Sequence, residues 1–198
     1  MTMPSESTLI VPSDLQAGDL LLVKTPGVIY KLGRFLMGTP YDHISVVVCE
    51  KNTANVVWPQ NTYCSIDRLL TPSRQPVAIR PKWKTEAEKA QFLAWMHSLM
   101  GQRYNYLWVW AHFLRMLMRK HFGIAYPMRK LDVRQELSVC TEAVLHGLTL
   151  QMSEFDPSQH KQSDWQVLQC ASTNDYLALP DVMPELFHLV GSQKPKAS

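Results

Sequence analysis

The sequence predicts an α+β domain, an antiparallel meander or small barrel of strands packed on helices. Short apolar or β-branched runs, separated by turn residues, fill the first half of the chain. From Thr85 onward apolar residues recur instead at helical spacing, and no segment repeats. A length of 198 residues suits one buried core. The expected limits are a flexible leader over 1–13, a single domain over 14–191 and a flexible tail over 192–198.

The elements follow in order. "AGDLLLVKT" reads as a turn at Gly18-Asp19 and then a buried strand over Leu20 to Val23. "GVIYKLGRFLMG" reads as a short amphipathic helix with Ile29, Leu32, Phe35 and Leu36 on one face. "YDHISVVVCE" is the clearest strand, with Ile44, Val46, Val47 and Val48 β-branched. "NVVWPQ" and "QPVAIRP" read as two further short strands. Thr85 and Glu88 have the spacing of a capping box, and the helix they open runs to a stop at Gly101. A second helix is expected over Tyr106 to Arg119, and a third from Ser138 or Val139 to about Leu150. In "NDYLALPDVMPELFHLVG" the prolines predict short turns rather than a long helix.

Composition excludes several classes. A hydrophobic fraction of 46% with 19% charged residues is that of an ordinary globular protein. The net charge of +3 is scattered, without the basic stripe of a nucleic-acid binder, so no nucleic-acid partner is expected. The start "MTMPSESTLIVPSD" lacks the pattern of a signal peptide, which predicts a cytoplasmic chain. The longest aromatic-apolar run, "YLWVWAHFLRMLM", is broken by His112 and Arg115 and is too short for a transmembrane helix. Cys49, Cys64, Cys140 and Cys170 are too widely spaced for a disulfide framework or a paired zinc motif, and are expected as thiols.

One of those thiols stands apart. Cys140 falls where a helix begins, and unpaired amides with the positive end of the helix dipole lower the pKa of a thiol placed there. A buried cysteine is equally ordinary core filler, so catalysis needs a base elsewhere. His43 opens the strongest strand and, by alternation, shares a face with Ser45 and Val47. His146 follows Cys140 on the same helix but points to another face. No His or Cys pair has metal-ligand spacing, and neither a metal nor a cofactor is expected.

Gly18-Asp19 before the first strand, His43 opening a later one, "GQRYNY" after the central helix, "VCTEAV" at a helix start and the closing "LPDVMPELFHLVG" occur in a fixed order. That order resembles the circularly permuted NlpC-type papain-like cysteine hydrolases, a family with YiiX-like, YebB-like and lecithin:retinol acyltransferase-like branches. The resemblance spans about Asp14 to Gly191 and implies a papain-like fold with Cys140 as nucleophile and His43 as base. The function it implies is a thiol hydrolase or acyltransferase acting on an amide or ester of a small-molecule, peptide or lipid acyl substrate. In the position of the residue that orients the histidine this sequence has Trp58, with Gln60 two residues on as the expected orienter and Asn55 a weaker candidate. Tyr41, Trp58 and Tyr104 are expected to line the substrate cleft. The helix from Tyr106 to His121, rich in aromatics and basic at its end, is a candidate for peripheral membrane contact. Without a charged orienter, a second reading is a catalytically impaired module that binds a protein or a membrane surface.

Overall fold

The computed structural model describes residues 10–57, 59–104, 106–124, 140–157 and 172–192. Six strands, β1 (Leu20–Val23), β2 (His43–Val47), β3 (Asn52–Asn55), β4 (Thr62–Ser65), β5 (Val77–Pro81) and β6 (Phe187–Ser192), form one antiparallel sheet. The order is β4-β3-β2-β1-β5-β6, a meander from β1 to β4 with β5 and β6 added on the other side of β1. Among the described residues β4 and β6 form its two edges without pairing to each other, so the sheet is open rather than a barrel. The strand expected in "NVVWPQ" lies further upstream, in "NTAN", because Asn52 turns the chain back onto Val48 and sets the register.

The helices are α1 (Val28–Met37), α2 (Ile66–Leu69), α3 (Glu86–Ser98), α4 (Tyr106–Phe122), α5 (Cys140–Gln151) and α6 (Thr173–Val182). Thr85 caps α3 as its spacing predicts, its hydroxyl accepting from the Glu88 N–H at 3.1 Å. The tail departs from the expectation of turns. Pro180 sits inside α6, where burial of Tyr176 and Leu179 outweighs the hydrogen bond that proline removes, and β6 follows.

Both faces of the sheet are covered, which is why β1 reads as an unbroken apolar run. Leu20, Leu22, Ile44, Val46 and Ile79 pack with Phe92 and Met96 of α3, Val144 and Leu148 of α5 and Tyr176 of α6. Leu21, Val23, Val47 and Ala78 pack with Ile66 and Leu69 of α2 and with Ile10 and Leu15. Asp19, fully buried, accepts both an Arg80 Nε–H and an Arg80 Nη2–H at 2.8 Å and caps the Gln16 N–H at 2.8 Å. Gly18 before it has φ +97°, and a Cβ there would meet the Trp83 indole at 3.0 Å. The Gly-Asp pair is therefore structural, turning the chain into β1 and tying β1 to β5.

Helices α3 and α5 meet at small residues. The Trp95 indole N–H donates to the Ala143 carbonyl at 3.0 Å, and a Cβ at Gly147 would lie 2.6 Å from the Trp95 ring. No helix among the described residues is long and apolar enough to cross a membrane.

Candidate active site

The seam between β2 and β3 explains where the thiol sits. The ladder ends at Ser45 opposite Asn55, so the next N–H on that side of β2, that of Ile44, has no strand partner. It hydrogen-bonds the sulfur of Cys140 instead, as does the N–H of Thr141 in the first turn of α5. The side chain of Cys140 is buried and hydrogen-bonded to His43. Residues 138 and 139, where the sequence places the helix start, lie outside the described residues.

Asn55, at the end of β3, supports the far side of the imidazole. Its Oδ1 is 3.0 Å from His43 Nε2, and Ser45 Oγ is also 3.0 Å from that nitrogen. Which amide atom faces the ring is fixed by the rest of the network. Asn55 Nδ2 donates to Thr53 Oγ1 at 2.8 Å and to the Thr53 carbonyl at 3.2 Å, so Oδ1 is left to accept. Ser45 Oγ donates to the same Oδ1. Nε2 therefore carries a proton in both states of the ring, and Nδ1 is the nitrogen left to exchange one with Cys140.

The electrostatics follow from this arrangement. Burial is the largest influence on His43 and opposes its charge, yet the Cys140 charge and hydrogen bond, the Asn55 bond and the Asp42 charge together hold its pKa above the ordinary value. Burial likewise opposes the Cys140 thiolate. The His43 charge and hydrogen bond, with the Ile44 and Thr141 amides, bring the thiol below its ordinary value. The two shifts belong to one coupled pair, and both run in the direction that favours a thiolate beside an imidazolium.

A cleft of about 140 Å³ opens at the sulfur. Met37, Phe113 and Met116 give it apolar walls, and Tyr41 and Tyr104 line it too. Burial, with the nearby Cys140 charge, holds the Tyr104 phenol well above its usual range, and burial alone raises Tyr41, so both present neutral hydroxyls. Thr39 and Thr141 also line the cleft, and their buried hydroxyls make no hydrogen bond among the described residues. Trp58 lies outside the described residues.

Gln60 is not at the site. β3 ends at Asn55, short of Pro59, and Gln60 is an exposed residue whose amide donates to the Gly101 carbonyl. With Asn61, whose N–H bonds the Gln102 carbonyl at 2.9 Å, it fastens the "GQRYNY" loop that carries Tyr104. The orienting contact falls to Asn55. The signal in the sequence is the alternation His43-x-Ser45 facing Thr53-x-Asn55, legible only once the register is known.

No protein-family model matches the chain, and no curated protein matches it. Among solved structures it is similar to one of a metalloprotein. That structure is yiiX from Escherichia coli O157:H7, with a TM-score of 0.49 and 12% identity over 91% of this chain and 98% of that one. Among the described residues no three His, Cys, Asp or Glu side chains are grouped as a metal ion would require. Cys49, Cys64 and Cys140 are free thiols, and Cys170 lies outside the described residues.

Proposed function

We propose that this chain is a papain-like thiol hydrolase or acyltransferase that works through an acyl-enzyme on Cys140. The observation that carries the reading is the bonded series Cys140, His43, Asn55, with the thiol pKa lowered and the imidazole pKa raised. In this reading the Cys140 thiolate attacks the carbonyl carbon of an amide or ester. The oxyanion forms beside the first-turn amides of α5. The imidazolium of His43 gives its Nδ1 proton to the departing amine or alcohol as the bond to carbon breaks, leaving a thioester. Nδ1 then takes a proton from water or another acceptor, which attacks the thioester and releases the sulfur. Asn55 keeps the ring in plane throughout, as a neutral amide rather than a carboxylate. The unpartnered hydroxyls of Thr39 and Thr141 are available to a bound acyl group. The reading of an impaired module rests on a missing orienter, and Asn55 in that role supports the catalytic one.

Iodoacetamide kinetics test this. In the wild type, Cys140 should alkylate at a rate that stays high well below the ordinary thiol pKa. His43→Ala removes the charge and bond that lower it and leaves burial, which raises it. The rate at pH 6.5 should fall about a hundredfold, to the thiolate fraction of a thiol of pKa about 8.5. Equal rates in the two proteins, or a wild-type rate no faster than free cysteine, would remove the pair from consideration.

A further inference from the structure

Helix α1 is turned inside out relative to an ordinary surface helix. Val28, Ile29, Leu32, Phe35 and Leu36 fall at helical spacing on one face, the stripe that normally seeks a core. Here no residue of α1 is buried, and Val28, Ile29 and Phe35 are 82%, 83% and 69% exposed. The polar side faces the protein instead. Arg34 pairs with Asp42, the residue before His43, and donates to the Thr25 carbonyl at 2.9 Å. At the other end Lys120 of α4 lies 4.9 Å from the centre of the Phe35 ring, and His121 Nε2 is 3.2 Å from the Leu36 carbonyl. The helix is thus held by ions and hydrogen bonds while its apolar stripe is presented to solvent. α4 adds exposed Leu114 and Phe122.

Charge narrows what the stripe is for. Neither α1 nor α4 contains an Asp or Glu; the Arg34 charge is met by Asp42, and the exposed charges on the two helices are Lys31 and Lys120. A second copy docking here would bring two positive faces together. An anionic lipid surface matches both components, taking the apolar stripe into the acyl boundary while Lys31 and Lys120 meet the headgroups.

We propose that α1 and the C-terminal half of α4 form a docking surface for an anionic bilayer. The cleft lies between the same helices, since Met37 of α1 and Phe113 and Met116 of α4 line it. Docking therefore sets its mouth at the interface, where an amphiphilic acyl donor would be drawn from. That last consequence rests on the thiol reading; the docking itself requires neither Cys140 nor His43.

Co-sedimentation of the full chain with vesicles of phosphatidylcholine, with and without phosphatidylserine, tests it. The wild type should bind the phosphatidylserine vesicles and bind less as salt rises. The double variant Ile29→Ser/Phe35→Ser, which alters only exposed side chains, should lose at least about tenfold in partitioning with an unchanged circular dichroism spectrum. Lys31→Glu should lose the phosphatidylserine preference. Cys140→Ala should bind as the wild type does, and a wild type that binds vesicles while its Cys140 alkylates no faster than free cysteine would sink the thiol reading and leave docking standing. The proposal is overturned by no binding at low salt, by equal binding to both vesicle types, by a double variant that binds undiminished, or by a dimer that Phe35→Ser dissolves without any vesicle binding.

Discussion

Asn55 carries more of the site than its size suggests. It accepts from His43 and Ser45 and donates to Thr53, and all of these atoms are at least partly withdrawn from water. Asn55→Ala should cost about 2 kcal/mol of stability, because it strands buried donors and acceptors rather than removing them. A purely structural role would stop there. A positioning role predicts more: the Asn55 bond is one of the influences that raise the His43 pKa, so its loss should move the onset of Cys140 alkylation to higher pH. A shift of about one unit would slow alkylation about tenfold at a pH below that onset. Asn55→Asp, which adds a negative charge at the same place, should move the His43 titration upward instead. Imidazole 15N chemical shifts across a pH series read both changes, and coincident curves for the three proteins would assign Asn55 to packing alone.

At the scale of elements, α5 is placed by what it lacks. Ala143 and Gly147 are one turn apart on the side that meets α3, and the missing Cβ at Gly147 is what lets Trp95 approach. Gly147→Ala gains about 1 kcal/mol in helix propensity but forces the two helices apart, a change that typically costs about 1–3 kcal/mol. Urea denaturation should show net destabilisation. The Cys140 alkylation rate should fall with it, since α5 carries the sulfur into the β2–β3 seam. A variant as stable and as reactive as the wild type would mean that Trp95 moves without cost. The elements also show what the sequence made legible. Continuous apolar runs and capping spacings located β1, β2, β5, α1 and α3. Edge strands did not declare themselves: β4 has no fully buried residue, and β6 alternates too irregularly to stand out behind two prolines. The same limit misplaced the orienter. A strand assigned to residues 55–60 points attention at Gln60, whereas the register that brings Asn55 beside Ser45 is a tertiary fact.

The whole molecule is a sheet buried on both faces, with the candidate site at one seam and an ion pair in its middle. Asp19 and Arg80 join β1 to β5. Arg80→Ala would leave the buried Asp19 carboxylate unpaired, a loss of about 3–5 kcal/mol that a urea midpoint would report. A midpoint within experimental error of the wild type would show that the Gln16 amide alone satisfies Asp19. The hydrogen bonds behind His43 have a direction as well as a location. The ring N–H points to Asn55, the Asn55 amide to Thr53, and the Thr53 hydroxyl to the Cys64 carbonyl at 3.2 Å on edge strand β4. Each donor makes the next acceptor more polar, so the series behaves as one unit. What descendants of this sequence must inherit is then a stripe across three strands, and one that kept the cysteine and histidine but put valine at Thr53 would have broken the stripe at its second link.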